Sequence, residues 1–278
     1  MEISSGTVFT NDGVCLHYTE AGTGPDMLLV PGWTFSTEVW RHQIEEFGQT
    51  HHVVAFDYRG HGRSERPTHG YRLARFAADT RDVIRNLGLT DVTWVGHGLG
   101  VGVAWSYWDL FGGQDLKRFV LIDQLPVMVA QPDWPDGFAG RIGATLRTDT
   151  LAEWISTVRG PQGEEAAADA LSRMISPRMS DEDSEWILSV MMGPNRDAAT
   201  QLLFDFCVGD WRDVTPLIDI PALVLAGEIG LFDAAPVAAS MPGATVRVVS
   251  AADRGSHMMI WENPGLVNQL IRDFLAGH

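Results

Sequence analysis

The chain has 278 residues, of which 45% are hydrophobic and 20% are charged, so it is long enough for one domain with a substantial core and is not a disordered chain. Its 36 acidic and 20 basic side chains give a formal net charge of −16, which disfavours nucleic acid and anionic membrane surfaces as partners. The two cysteines are far apart, and we find neither a signal-peptide pattern nor an apolar run long enough for a bilayer, so we expect a cytoplasmic protein without a disulfide framework.

Short β-branched runs alternate with helical patterns along most of the chain, which predicts a mainly parallel sheet covered by helices. The first two predicted strands, 7–10 and 14–18, are separated by Asn11-Asp12-Gly13, so we expect a hairpin at one edge of the sheet. Six further strands are predicted at 27–30, 53–56, 92–95, 119–122, 222–226 and 245–249. Helical spacing between and after these strands falls at 76–87, 100–111 and about 264–276.

The alternation of strands and helices stops between residues 127 and 213. This stretch has no convincing strand pattern, and its helix-like segments fall at 150–158, 164–175, 180–192 and 196–206. An all-helical insertion after one strand predicts a cap over the carboxyl ends of the sheet, where ligands bind in α/β proteins. We therefore divide the chain into a core, 1–126 and 214–278, and a helical cap, 127–213.

The most informative segment runs from Val92 to Gly102, where an apolar strand leads through small residues into a helix. In the template Gly-x-Ser-x-Gly, such a strained turn carries a nucleophilic serine between two glycines that permit close packing. Gly96 and Gly100 match the two glycines, but the central position is Gly98. Glycines at every second position do not give the Gly-x-Gly-x-x-Gly spacing of a dinucleotide site. Since the sequence also lacks metal-ligand spacing, we expect neither a metal nor another cofactor.

Three further segments, in order along the chain, resemble the α/β-hydrolase family. Residues 28–33 (Leu-Leu-Val-Pro-Gly-Trp), followed by Trp40, resemble the oxyanion loop of that family. Residues 57–64 (Asp-Tyr-Arg-Gly-His-Gly-Arg-Ser) resemble its most recurrent non-catalytic signature. Residues 255–257 (Gly-Ser-His), followed by 261–264 (Trp-Glu-Asn-Pro), resemble its catalytic-histidine loop and the start of the last helix. Together with the glycine-rich turn, these segments imply an α/β-hydrolase fold with an inserted helical cap.

The same resemblance implies the main parts of an active site. His257 should lie over the turn at Gly98 and act as a general base. The backbone N–H groups of Trp33 and Leu99 should form an oxyanion hole. The residue after the turn opens a helix, so its N–H is unpaired and lies at the positive end of the helix dipole.

The substrate cavity is expected between the sheet and the cap, with mostly apolar and aromatic walls. Most tryptophans and methionines of the cap should form its own core, while a few should face the cavity. His97, beside the turn, is a candidate substrate contact, although in the family a histidine here often serves packing. The residues that we assign to substrate binding are Trp33, Phe35, His97, Trp134, Trp154 and Trp186. We expect a small, largely apolar or aromatic substrate, and the oligomeric state, a homodimer included, stays open.

The acidic partner of the histidine has more than one candidate. Most of the family places the acid after the strand that follows the cap, but Gly230 stands at that position and Asp233 is three residues late. Some branches of the family use the end of the preceding strand, and Asp123 stands there. A carboxylate that ends an apolar strand is poorly explained by packing. We therefore choose Asp123 as the residue that orients His257, with Asp233 or Glu228 as alternatives.

Glycine cannot form a covalent intermediate, so the usual serine route is closed and three explanations stay open. In the first, the chain is a serine-to-glycine variant of an esterase, lactonase or related acyl hydrolase. In the second, the enzyme needs no nucleophile and uses His257 and Asp123 as a pure general base. The 31–33 loop and Asp123 also resemble the cofactor-independent 2,4-dioxygenases acting on 3-hydroxy-4-quinolones, although that branch carries serine at the turn; a lyase or decarboxylase is equally allowed. In the third, the chain is a non-catalytic binding protein, which retention of the base disfavours.

Overall fold

An eight-stranded sheet forms the centre of the protein in the computed structural model, which describes residues 2–241 and 243–277. In chain order the strands are β1 Ile3–Phe9, β2 Cys15–Ala21, β3 Asp26–Val30, β4 His52–Phe56, β5 Val92–His97, β6 Leu116–Ile122, β7 Ala222–Gly227 and β8 Thr245–Val249. Their spatial order is β1-β2-β4-β3-β5-β6-β7-β8. The hairpin β1–β2 and the pair β2–β4 are antiparallel, and the other pairs are parallel. The predicted mainly parallel sheet with an edge hairpin is therefore confirmed.

Eleven α-helices are described, and they follow the strands in the predicted alternation. They are α1 Arg41–Phe47, α2 Leu73–Asn86, α3 Leu99–Phe111, α4 Phe138–Arg141, α5 Thr148–Arg159, α6 Gly163–Met174, α7 Asp181–Met191, α8 Arg196–Val208, α9 Ala234–Ala239, α10 Met259–Glu262 and α11 Pro264–Gly277. Four of them, α1, α4, α9 and α10, were not predicted; the longest of these four has 7 residues. Helices this short do not show the periodicity of an amphipathic helix. In the part of the chain that the structure describes, no helix is both long and apolar enough to cross a membrane.

Helices α4 to α8 all lie between β6 and β7, and we call this segment, Phe138–Val208, the helical insert. Helices α5 to α8 match the four helix-like segments of the sequence. The chain enters and leaves the insert side by side, since Val127 forms a β-bridge with Asp210 and the Trp211 N–H donates to the Pro126 carbonyl oxygen over 2.8 Å. The division into a core, 1–126 and 214–278, and a cap, 127–213, stays a prediction.

The carboxyl ends of the four parallel strands β3, β5, β6 and β7 lie side by side at one end of the sheet. The register pairs Val30 with Gly96, and it pairs Ile122 with both His97 and Leu225. These strands read as continuous apolar runs because helices cover both faces of a parallel sheet. The loops that leave β3, β5 and β6 consequently start side by side on neighbouring strands, and they carry the candidate site.

Candidate active site

Gly98 forms the turn between β5 and α3, with φ 52° and ψ −113°, a conformation that strains any residue with a side chain. The two flanking glycines are required by close packing. A Cβ on Gly96 would lie 2.7 Å from the Gly100 carbonyl oxygen, and a Cβ on Gly100 would collide with the Val30 carbonyl oxygen. The glycine pattern of the sequence thus reflects the meeting of β3, β5 and α3, and this meeting holds Gly98 at the tip of the turn.

His257 lies directly above this turn and is held by a carboxylate. Its Nδ1 is 2.7 Å from Oδ2 of Asp123, and the two side chains are 8% and 1% exposed. The second carboxylate oxygen, Oδ1, accepts a hydrogen bond from the Gly227 N–H over 3.2 Å. Since a carboxylate accepts, Nδ1 is the nitrogen that donates, and the lone pair on Nε2 is free to take a proton. Nε2 points toward Gly98, where an ideal Cβ would be 3.2 Å away.

The two alternative acids lie elsewhere. The exposed Glu228 carboxylate accepts from the Ala251 N–H over 2.8 Å. The exposed Asp233 carboxylate accepts from the Ala235 N–H over 3.0 Å and so caps α9. Gly230, at the position where most of the family has its acid, would place a Cβ 3.8 Å from Oδ2 of Asp123. The residue after β6 and the loop after β7 therefore both lie beside His257, but only Asp123, the residue after β6, places a carboxylate there.

Asp123 is itself held in an unusual backbone conformation, with φ 51° directly after β6. Its N–H donates to the Leu225 carbonyl oxygen over 2.8 Å, which extends the β6–β7 pairing by one residue. A positive φ costs a non-glycine residue of order 1 kcal/mol or more and persists only where the surroundings enforce it. Here the strand pairing on one side and the imidazole of His257 on the other fix the carboxylate.

A cavity of about 380 Å³ opens between the carboxyl ends of the parallel strands and the helical insert. Its wall is mainly apolar, with aromatic rings from Trp33, Phe35, Trp154, Phe206 and Phe232. Gly98, Leu99 and His257 form its floor, beside the buried amide of Gln124. The lining also includes an exposed ion pair on α6, in which the Arg173 guanidinium is 2.7 Å from the Asp169 carboxylate. This ion pair therefore lies at the exposed mouth of the cavity, and few polar groups lie beside the turn at Gly98.

Three of the six residues assigned to substrate binding line this cavity: Trp33, Phe35 and Trp154. Trp134 does not, because its ring packs edge-on against Phe138 and under the guanidinium of Arg212. Trp186 does not either, because it stacks on Trp261 with 4.3 Å between ring centroids. The structure therefore does not bring these two residues to the cavity. Trp134 packs against the start of the insert and Trp186 packs against α10, and the sequence does not tell such contacts from a cavity wall.

His97 was also assigned to substrate binding, and the structure places it behind the cavity wall instead. It is fully buried, and its Nε2–H donates to the backbone carbonyl oxygen of His257 over 2.8 Å. Its ring lies 4.4 Å from the His257 ring and stacks on Phe35. Burial, together with the neighbouring imidazole of His257, holds the pKa of His97 well below its ordinary value. Through its hydrogen bond to the His257 carbonyl oxygen, His97 supports the loop that carries the general base.

The predicted oxyanion hole depends on two backbone groups. Leu99 is the first residue of α3, so its N–H has no partner within the helix. Leu99 and Trp33 both line the cavity. The indole N–H of Trp33 donates to the Ala199 carbonyl oxygen over 2.8 Å, which ties the loop after β3 to α8 of the insert. The position of both residues agrees with the predicted role, which stays a prediction.

Cys207 is the one thiol in the cavity lining, and its environment argues against a role as a replacement nucleophile. Burial raises the pKa of this thiol to about 12, so it stays protonated near neutral pH. Among residues 2–241 and 243–277, no group of three histidine, cysteine or acidic side chains is placed to hold a metal ion. The cavity therefore offers His257 as its reactive group.

Sequence reasoning assigned no role to Glu262, yet this buried carboxylate joins the histidine loop to the insert. Its Oε1 accepts from the Ser176 N–H over 2.8 Å and from the Ser256 hydroxyl over 2.6 Å, and its Oε2 accepts from the Ser176 hydroxyl. Beside it, the Met258 N–H donates to the carbonyl oxygen of Met174, the last residue of α6. In the sequence, this residue stood out only as an acid at the end of the apolar run 258–261 and as part of the segment 261–264.

Replacing Glu262 with alanine is expected to lower the free energy of unfolding by about 1–3 kcal/mol, because three buried donors lose their acceptor. Urea titration followed by tryptophan fluorescence measures the change. Glu228→Ala is the matched control, since it removes an exposed carboxylate that accepts a single backbone hydrogen bond. Equal effects of the two variants would contradict a structural role for the Glu262 carboxylate.

The protein is expected to lose stability as the pH falls below about 6.5. Burial lowers the pKa of His61 to about 4 and that of His97 well below its ordinary value. Between about pH 4 and 6.5 the unfolded chain therefore binds protons that the folded chain does not, so unfolding becomes easier on acidification. His97→Gln keeps an N–H donor without a titrating ring. Its urea midpoint should fall less than that of the parent chain between about pH 7 and about pH 5, which lie on either side of the ordinary histidine pKa of about 6.5. An identical fall in both proteins would contradict the contribution of His97.

Comparison with known proteins agrees with the fold described above. The model of the α/β-hydrolase fold family matches residues 25–264. A non-heme chloroperoxidase of Kitasatospora aureofaciens is 26% identical, over 96% of this chain and 96% of that protein. The crystal structure of a bromoperoxidase from Bacillus anthracis superposes with a TM-score of 0.87 at 20% identity, over 98% of this chain and 100% of that one. An esterase from Exiguobacterium antarcticum superposes with a TM-score of 0.86 at 19% identity, over 97% and 98%.

The chain belongs to the α/β-hydrolase fold family, which the resemblance of its segments implied. It is an enzyme of this superfamily, whose named relatives include haloperoxidases, esterases and epoxide hydrolases. The resemblance to the quinolone dioxygenase branch is not matched by the relatives named here.

Proposed function

We propose that the protein hydrolyses small, largely apolar esters or lactones by direct attack of a water molecule that His257 activates. The observation that carries this proposal is the 2.7 Å contact between His257 Nδ1 and Asp123, which leaves Nε2 facing Gly98 on the floor of an apolar cavity. Whatever the origin of Gly98, it has no atom that can attack a carbonyl carbon. The base is complete, so the nucleophile must come from solution.

The reaction that this arrangement supports has two steps. In the first, His257 Nε2 takes a proton from water while the water oxygen bonds to the substrate carbonyl carbon. The negative charge that develops on the carbonyl oxygen is stabilised by the N–H groups of Leu99 and Trp33. In the second, the tetrahedral anion collapses and the imidazolium returns its proton to the leaving alkoxide. Asp123 keeps His257 in the correct tautomer and stabilises its charged form throughout.

The cavity lining favours an apolar acyl group or ring. Its aromatic and aliphatic walls would bury a hydrocarbon moiety, and each buried CH₂ contributes about 0.8 kcal/mol to binding. The exposed pair of Arg173 and Asp169 lies at the mouth, where it meets solvent. We therefore expect neutral esters and lactones with apolar acyl parts to be better substrates than charged analogues of the same size.

The test is hydrolysis of a series of chromogenic aryl esters and of aliphatic lactones. We expect measurable turnover that rises with apolar acyl length until the cavity is full, and a loss of about 10²–10⁴-fold in His257→Ala. Leu217→Ala, a change on the exposed surface outside the cavity lining, is the control for handling and folding. Turnover that is equal in His257→Ala and the parent chain would overturn the proposal.

A second candidate is proton abstraction from the substrate itself, as in a cofactor-free dioxygenase, lyase or decarboxylase. The observation that favours it is that His257 reaches the cavity beside Gly98, which offers no nucleophile. Its acid, Asp123, stands directly after β6, in line with the resemblance to that branch. The same N–H groups would then stabilise an enolate. Oxygen consumption with a 3-hydroxy-4-quinolone, abolished by His257→Ala, would support it; absence of any reaction with such substrates would leave the hydrolytic proposal alone.

A further inference from the structure

We propose that the side-chain oxygen of Gln124 binds a hydrogen-bond donor of the substrate, a hydroxyl or an amide N–H on an otherwise apolar molecule. This inference deepens the hydrolytic function proposed above and rests on it for the substrate class, which becomes esters and lactones that carry such a donor. Gln124 is uncharged and has no proton to exchange with the reacting atoms. It would set specificity and leave proton transfer to His257.

Gln124 stands out because its polar side chain is buried and still lines the cavity. It is 3% exposed. Among the described residues of the lining, Gln124 and His257 are the buried ones whose side chains carry a nitrogen or oxygen atom. Thr145 and Thr150 also line the cavity, but both are exposed and can keep a water molecule while a ligand is bound. A ligand that displaces water from the floor must therefore replace the hydrogen bonds of Gln124 itself.

The amide of Gln124 has one paired end and one free end. Its Nε2 donates to the Leu125 carbonyl oxygen over 3.0 Å, and the amide oxygen cannot stand there instead, because two acceptors would then face each other. Oε1 accepts no hydrogen bond from the residues that the structure describes. Oε1 is not enclosed by protein atoms either, so this oxygen faces the cavity that Gln124 lines.

The free oxygen is held in place before any ligand binds. Gln124 follows Asp123, whose φ of 51° and N–H bond to the Leu225 carbonyl oxygen fix the chain directly after β6. The bond from Nε2 to the Leu125 carbonyl oxygen fixes the plane of the amide. A ligand therefore does not have to order this side chain, and less binding free energy is lost.

A fixed, buried acceptor discriminates against ligands that leave it unpaired. An unsatisfied acceptor keeps its full desolvation cost, which is why a site built to bind a hydroxyl or N–H rejects the analogue without one. The Leu99 and Trp33 N–H groups are the donors proposed for the substrate carbonyl oxygen. Gln124 would thus supply the complementary acceptor for a second polar group of the same substrate.

The test measures binding of ketones, which resemble the substrate but cannot be hydrolysed. β-Hydroxypropiophenone and butyrophenone differ only in a hydroxyl that replaces a methyl group. α-Acetamidoacetophenone and the diketone in which CH₂ replaces its N–H form a second pair, which distinguishes an amide donor from a hydroxyl donor. Isothermal titration calorimetry gives Kd for each ketone with the full chain.

We expect the parent chain to bind the donor-bearing ketone of at least one pair as tightly as its partner or more tightly. In an apolar cavity without an acceptor, the hydroxyl or N–H would instead weaken binding. Gln124→Met removes both polar ends from an unbranched side chain of similar length, and it should shift the Kd ratio of that pair against the donor by about 5- to 10-fold, the contribution of one neutral hydrogen bond. Thr145→Val, which removes an exposed hydroxyl from the same lining, is the matched control and should leave the ratio unchanged.

The same ratio in Gln124→Met and the parent chain would overturn the inference. So would a parent chain that binds both donor-bearing ketones at least 10-fold more weakly than their partners, a result that needs no variant to fold. The hydrolytic proposal is judged separately, by turnover of esters. Ketone discrimination without any ester hydrolysis would leave the binding role of Gln124 in place and refute the hydrolase, whereas hydrolysis without discrimination would do the reverse.

Discussion

Asp123→Asn is expected to lower kcat by about 10³–10⁴-fold, as replacement of a carboxylate behind a catalytic imidazole does elsewhere. The hydrogen bond from the Gly227 N–H to Oδ1 fixes which atom of the asparagine amide goes where. The amide oxygen must face that N–H, so the amide nitrogen faces His257 Nδ1. Nδ1 then accepts and Nε2 carries the proton, which is the tautomer that cannot act as a base.

Steady-state kinetics on the best ester substrate measures this loss. Asp233→Asn is the matched control: Asp233 is exposed, caps α9 and belongs to the loop where most of the family has its acid. Its kcat should equal that of the parent chain. A large loss in Asp233→Asn with normal activity in Asp123→Asn would show that the acid is supplied by the loop after β7, contrary to the geometry.

Gly98→Ser is expected to convert the enzyme to a covalent route and to raise kcat for ester hydrolysis by about 10²-fold or more, because an attached nucleophile no longer has to be captured from solution. The backbone of the turn already has the conformation that a nucleophile would need, and the new Cβ would lie 3.2 Å from His257 Nε2. Quench-flow measurements should show a burst of released alcohol. Mass spectrometry should find one acyl group on the substituted residue.

Gly98→Ala separates the hydroxyl from the shape of the side chain. Both variants share the backbone cost of a side chain at φ 52°, of order 1–3 kcal/mol. Alanine adds no nucleophile and obstructs the water position, so its kcat should fall below that of the parent chain and no burst should appear. A rise in activity in both variants would mean that the gain comes from reshaping the turn and that the covalent explanation is wrong.

Much of the fold could be predicted from local patterns in the sequence. The central strands are continuous apolar runs because both of their faces are covered, and the turn at Gly98 sits in a glycine pattern that close packing of β3, β5 and α3 requires. The extension of β1 back to Ile3 was not predicted, because residues 3–6 lack an alternating pattern and are strand only through pairing with β2. The short helices α4 and α9 gave no periodic signal for the same kind of reason: their existence depends on tertiary context.

The residues of the candidate site, too, could be predicted from the sequence only in part. Asp123 and His257 belong to segments with their own sequence patterns, and the structure brings them together as the choice of Asp123 required. Whether an aromatic residue of the stretch 127–213 faces the cavity depends instead on how the helices pack, so Trp154 could not be told from Trp134 in the sequence. Glu262 was missed because its partners come from a distant part of the chain, and no spacing rule links them.

The most direct test of the account is the mass of the intact chain, quenched during rapid turnover of a chromogenic ester. An imidazole that activates solvent predicts a chain of unchanged mass, about 30.5 kDa, while product accumulates linearly from the first turnover. A chain carrying one acyl group, or a burst of one product per chain, would show that a side chain attacks the substrate and would contradict direct attack by water.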